Sequence, residues 1–159
     1  MGTDTAYFRI ERLIKSGAEC FICALEDEIE RKYFDVYLSE LVMDSRAREK
    51  IVESRGFCNH HFYKMLTIAA KPESADGHGV ALIAKGIIEE LIQDLQRYTK
   101  NFKVFHQTTS CPACAHLASF MEIYNRKILE LLSSRNAEFL KLFINSKGLC
   151  FPHFVERAN

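Results

Sequence analysis

Apolar positions recur at steps of three and four along most of the chain. In "ALEDEIERKYFDVYLSELVM", Leu25, Ile29, Tyr33, Val36 or Tyr37 and Leu41 fall on one side of a 3.6-residue period, which predicts an amphipathic helix. "AHLASFMEIYNRKILELLSS" takes the same role later in the chain. Asp44 is a good N-cap for a further helix that stops at Gly56, and Asn136 caps "AEFLKLFINSK", which Gly148 ends. "KPESADGHG" is the one obvious loop cluster. After it, Ala84, Ile88, Leu91, Leu95, Tyr98, Phe102 and Phe105 alternate steps of four and three. They predict a helix of about 27 residues, ~40 Å long. Its narrow apolar seam is read as a core or bridging face in preference to a coiled-coil dimer seam. No stretch sustains the alternation of a strand, so the expected fold class is all-α.

The helices sit inside a pattern that is written twice. Cys20 and Cys23 form "CFIC", and Cys111 and Cys114 form "CPAC". Cys58 and His61 lie in "GFCNHHF", and Cys150 and His153 in "GLCFPHF". The four offsets are 91, 91, 92 and 92 residues, an internal repeat with a one-residue insertion, and all six cysteines belong to it. The repeat also separates two adjacent histidines. His61 matches His153, whereas His60 matches Pro152, which has no donor for a metal. His61 is therefore the expected ligand and His60 a surface neighbour. His78, His106 and His116 have no counterpart and are read as exposed or hydrogen-bonded, although His116 stands two residues beyond Cys114 and could adjoin a site.

Three cysteines and a histidine form the Cys₃His set that tetrahedral zinc favours. Taken in chain order, each CxxC meets the next GxCxxHF. The expected sites are then Cys20, Cys23, Cys58 and His61 in one module, and Cys111, Cys114, Cys150 and His153 in a second. The spacing fits, because a CxxH pair at i and i+3 shares a helix face and Pro152 suits a first helical turn. Helix starts beside the thiols would stabilise thiolates, and Cys111-Pro112 resembles a tight zinc knuckle. The expected organisation is two tandem helical modules: 1–71, then a loop and long connecting helix at 72–108, then 109–159, with packing into one domain left open.

Competing chemistries are weaker. A thioredoxin-type dithiol belongs beside a βαβ pattern, which is missing. An iron–sulfur cluster is allowed by ligand count, but four sulfurs are its commoner set. Four protein ligands close the shell that catalytic zinc keeps open for water. There is no HxE, HExxH, P-loop, GxGxxG or GxSxG. The acidic stretch "EDEIE", Glu26 to Glu30, reads as a solvated helix start. The motif pair resembles an uncharacterised family of small helical prokaryotic proteins, a domain of unknown function. The resemblance covers positions 20 to 153 and implies no activity.

Composition narrows the function further. The 159 residues are 48% hydrophobic and 26% charged, with 21 basic and 21 acidic side chains. This balance gives no pull toward nucleic acid or anionic membrane, and the basic run at Arg46, Arg48, Lys50 and Arg55 is interleaved with Glu49 and Glu53. No apolar run approaches the ~18 residues of a membrane span, and the start shows no secretory or myristoylation pattern. The expected location is the cytoplasm, where thiols stay reduced. The expected function is non-enzymatic: a zinc-binding structural or interaction module with two zinc ions and a protein partner or homo-oligomer. A thiol-based redox or metal sensor is the alternative, and a nucleic-acid-binding zinc protein the further one. The second module ends six residues after His153. Phe139, Leu142 and Phe143 are therefore expected to lack an intramolecular cover, to be relieved by self-association or by a longer natural chain.

Overall fold

The computed structural model describes residues 4–71, 77–97 and 110–158, and among them the regular structure is all helical. The order is α1 (Thr5–Lys15), α2 (Phe21–Val36), a π-helical turn (Tyr37–Leu41), α3 (Ser45–Glu53), α4 (Asn59–Ala69), α5 (His78–Arg97), α6 (Pro112–Ser133), α7 (Ala137–Ile144) and α8 (Phe151–Ala158). The caps follow the sequence. Asp44 accepts from the Arg46 N–H at 2.8 Å, and Asn136 accepts from the Phe139 N–H at 2.9 Å. Gly56 and Gly148 both take positive φ, 92° and 87°, which explains the glycine in each GxCxxHF motif.

The chain divides into two compact units, and the division falls inside helices. One unit is Met1–Ile29 with Leu117–Asn159, and the other is Glu30–His116. In the first, Ile10, Leu13 and Ile14 of α1 pack with Phe21, Ile22, Leu25 and Ile29 of α2, with Met121, Tyr124, Ile128 and Leu131 of α6, and with Phe139 of α7. In the second, Phe34, Tyr37, Leu38 and Val42 meet Ile51, Met65, Ile68, Ile83 and Ala113.

Two periodicities differ from the sequence expectation. The steps through Leu25, Ile29 and Tyr37 hold, but Leu41 is 40% exposed while Leu38 and Val42 are buried. The cause is the π turn, where the Val42 N–H donates to the Tyr37 carbonyl at 2.8 Å, so one extra residue rotates the face. On α5, Ile88 and Leu95 point to solvent, and the buried side carries Gly79, Ile83 and Asp94. A Cβ on Gly79 would lie 3.0 Å from Val42, and one on Gly86 would lie 3.0 Å from Val52. The helix is seated by small residues that permit close approach, which a search for large apolar residues passes over. The expected continuation through Tyr98, Phe102 and Phe105 lies outside the described residues, as does His106.

The expectation of an uncovered second module is overturned. Phe139 is fully buried, and Leu142 and Phe143 pack against the same core. The cover comes from α1 and from the start of α2, where Phe21 stands edge-on to Phe143 with centroids 6.1 Å apart. The chain's first helices fill the place that the repeat comparison leaves vacant.

Two substitutions check this packing. Phe139→Ala should cost about 3–5 kcal/mol in urea unfolding, whereas Phe154→Ala, at a side chain 59% exposed, should stay within about 0.5 kcal/mol. Comparable losses would contradict the cover assigned to α1 and α2. Gly148→Ala meets no atom within 4 Å, so its loss, about 1–3 kcal/mol, should report backbone strain alone. No loss would contradict the left-handed conformation.

Candidate metal centres

Each of the four motifs is the start of a helix. The carbonyls of Cys20, Cys58, Cys111 and Cys150 accept from the N–H groups four residues on: Ala24 at 3.1 Å, Phe62 at 2.8 Å, Ala115 at 3.0 Å and Phe154 at 2.9 Å. The first cysteine of every motif is thus an N-cap, and Cys23, His61, Cys114 or His153 is the third residue of the helix it opens. CxxC and CxxH are one device. It has the spacing of a capping box, in which N-cap and N3 side chains reach toward each other at the helix mouth.

The structure gathers all eight expected ligands into two clusters, but not in chain order. Cys20 and Cys23 meet Cys150 and His153; Cys58 and His61 meet Cys111 and Cys114. Each CxxC is joined by the GxCxxHF of the other repeat, which corrects the sequential pairing. Helix lengths supply the reason. The 16 residues of α2 and the 5 of the π turn carry the chain about 30 Å at 1.5 Å per residue, whereas the 9 residues of α3 return it only about 14 Å. Cys58 and His61 therefore arrive beside Glu30, partway along α2. In the second repeat, 22 residues of α6 are followed by only 8 of α7, with the same consequence. Each cluster lies wholly within one compact unit.

The donor atoms converge. In the first cluster His153 Nδ1 lies 3.5, 3.3 and 3.1 Å from the sulfurs of Cys20, Cys23 and Cys150, and Cys23 Sγ lies 3.6 Å from Cys150 Sγ. In the second, His61 Nδ1 lies 3.2, 3.6 and 3.3 Å from Cys58, Cys111 and Cys114, and Cys58 Sγ lies 3.8 Å from Cys114 Sγ. All six cysteines are free thiols. In both rings Nδ1 faces sulfur and Nε2 faces a carboxylate: Glu26 for His153 at 3.1–3.2 Å, Glu30 for His61 at 3.1 Å. A proton held on Nε2 by that carboxylate leaves the Nδ1 lone pair for a metal. Burial holds the His61 imidazolium below its usual range in spite of Glu30, which favours the neutral ring a metal needs.

The helix mouths also order the thiols. Burial pushes the Cys20 thiol up, but the backbone N–H groups of Cys150 and Cys23, with His153, outweigh it and bring it down to about 6. Cys111 behaves alike: the N–H groups of Cys58, Cys114 and Ala113 outweigh its burial and lower it. Burial and neighbouring sulfurs push Cys23 and Cys114 up to about 12. A divalent ion beside the sulfurs would favour the thiolate form of all three.

Sequence reasoning missed the carboxylates. The segment Glu26 to Glu30 is not a solvated helix start: Glu28 pairs with Arg9 at 3.0 Å and with Arg12 at 2.7 Å, and Glu30 is 8% exposed. Cys23, Glu26 and Glu30 fall on one helix face at i, i+3 and i+7, and that was the available signal. The repeat hid it, because Leu117 and Met121 stand at the matching positions. His60 is outside the sulfur cluster but reaches Glu30 Oε1 at 3.2 Å. His116 lies against the Tyr33 ring at 4.7 Å.

No helix among the described residues is long and apolar enough to cross a membrane. No curated protein and no solved structure matches the chain. One family does match, over residues 1–108, a stretch that holds two ligands of each cluster. The chain belongs to that family, DUF6062, a family of unknown function.

Proposed function

We propose that the protein is a non-enzymatic helical protein that binds two zinc ions, one at each Cys₃His cluster, and acts as a structural or interaction module. The observation that carries this reading is the spacing of the donor atoms. A tetrahedral zinc with Zn–S near 2.3 Å and Zn–N near 2.0 Å has S···S edges of about 3.8 Å and S···N edges of about 3.5 Å. The observed edges, 3.6 and 3.8 Å between sulfurs and 3.1–3.6 Å between sulfur and nitrogen, support a shell around one ion. Sulfurs this close speak for a single ion over a multi-iron cluster. Four protein donors fill the shell, which favours structure over catalysis. Binding would join Cys23 to Cys150 and Cys58 to Cys111, so it would be coupled to folding.

The exposed Phe151, Phe154 and Val155 of α8 support contact with a protein, either another copy or a different chain. Free thiols suit a reducing compartment such as the cytoplasm, and zero net charge speaks against nucleic acid. A second reading, a thiol-based redox or metal sensor, draws on the exposure of Cys23 and Cys114. Zinc release and disulfide formation under dilute peroxide, with reversal by thiol, would favour it over a purely structural role.

Elemental analysis of the purified protein should give two zinc ions per chain. His61→Ala should lower that to one, and His60→Ala should keep two. One metal or none in the unaltered protein, a majority of iron, or equal loss in the two histidine variants would contradict the assignment.

A further inference from the structure

We infer that the two centres hold their metal unequally: the Cys20–Cys23–Cys150–His153 centre releases its ion first, and Glu30 is a positioning residue that retards release at the other. This rests on the metal-binding reading above. Exposed cysteines do not separate the centres, since each has one, Cys23 or Cys114, and the burial of Cys20 against half-buried Cys58 and Cys111 shields the first centre rather than the second. The histidine arms act in the opposite sense. His61 is 3% exposed and its carboxylate Glu30 is 8% exposed. Glu30 is itself fixed from α4, by the Lys64 ammonium at 3.2 Å and by His60 at 3.2 Å besides His61. The His61 ring also lies 6.1 Å from the Phe34 ring, inside the apolar core of its unit. Rotation of the ring away from a metal would strip a buried carboxylate of a hydrogen bond, which is costly.

The other arm is open. His153 is 12% exposed and Glu26 is 30% exposed. The turn that carries His153 presents Phe151 at 78% and Phe154 at 59% to solvent. Water can replace the Glu26 hydrogen bond there, and a competing ligand can approach the ring. The dissociation of a neutral nitrogen donor is the natural first step in losing the ion, and it meets less resistance at His153.

The test uses the zinc-loaded protein. An excess of a chromogenic zinc chelator is added, samples are quenched at intervals with N-ethylmaleimide, and labelled peptides are weighed. Cys20, Cys23 and Cys150 should be labelled at least ~10-fold sooner than Cys58, Cys111 and Cys114, the order of effect that an outer carboxylate exerts on a bound metal. Glu30→Ala should close that gap, and Glu30→Gln, which keeps an acceptor, should restore part of it. Long-range ¹⁵N spectra of the imidazoles should show the His61 proton on Nε2 in the parent, and loss of that single tautomer in metal-stripped Glu30→Ala. Should Glu30→Ala not fold, Lys64→Gln leaves every ligand and carboxylate in place and should still speed labelling of the second set. Simultaneous labelling of all six cysteines, the reverse order, or an unchanged gap in both Glu30→Ala and Lys64→Gln would overturn the inference. A chain that takes up no metal would instead overturn the reading on which it rests.

Discussion

A cysteine at a helix N-cap with a second thiol or an imidazole at the third residue of that helix is the unit from which both clusters are built. Four helices begin this way, and each cluster takes two of them. The arrangement answers a problem that every helix start poses, because its first N–H groups have no partner within the helix. Here the backbone N–H groups of Cys23 and Cys150 lower the Cys20 thiol, and those of Cys58, Ala113 and Cys114 lower the Cys111 thiol, whereas Cys58 caps its own helix with no side-chain hydrogen bond. The helix dipoles act in the same sense, favouring negative charge where thiolates gather. Glycine at positions 56 and 148 turns the chain into the device, and the carboxylates of α2 orient its histidines.

The length of each helical hairpin then decides which units can meet. A long outgoing helix followed by a short return cannot bring the second motif of a repeat back to its first. Exchange between repeats is the arrangement that completes both sets. The cost is topological. One compact unit is assembled from 1–29 and 117–159, with the whole of the other in between. Closing so long an intervening segment is entropically unfavourable, though the penalty grows only slowly with length. The core of Phe21, Met121, Tyr124 and Phe139 offsets it, and a metal at Cys20, Cys23, Cys150 and His153 would close the same junction.

Much of this was legible in the sequence. The eight side chains that gather into the two clusters, with His61 beside the sulfurs and His60 outside them, and the caps Asp44 and Asn136 follow from spacing and residue type, which are local properties. What was not legible is what depends on distance through space. Pairing of the motifs required the rise of α2 set against the shorter return of α3. The face of α5 required knowing that Gly79 and Gly86 approach valines, and the phase at Leu41 required the π turn. Glu26 and Glu30 were hidden by a repeat that is faithful in its ligands and unfaithful in what orients them. The family match shows the same limit, since residues 1–108 contain one CxxC and one GxCxxHF, which look like a complete site and are half of each of two.

Exchange between repeats is most directly tested by removing one ligand and asking which others lose protection. In metal-loaded Cys58→Ser, brief N-ethylmaleimide treatment and peptide mass analysis should find Cys111 and Cys114 labelled. Cys20, Cys23 and Cys150 should remain protected. Labelling of Cys20 and Cys23, with Cys111, Cys114 and Cys150 protected, would show that each CxxC shares its metal with the motif that follows it, and would contradict the account.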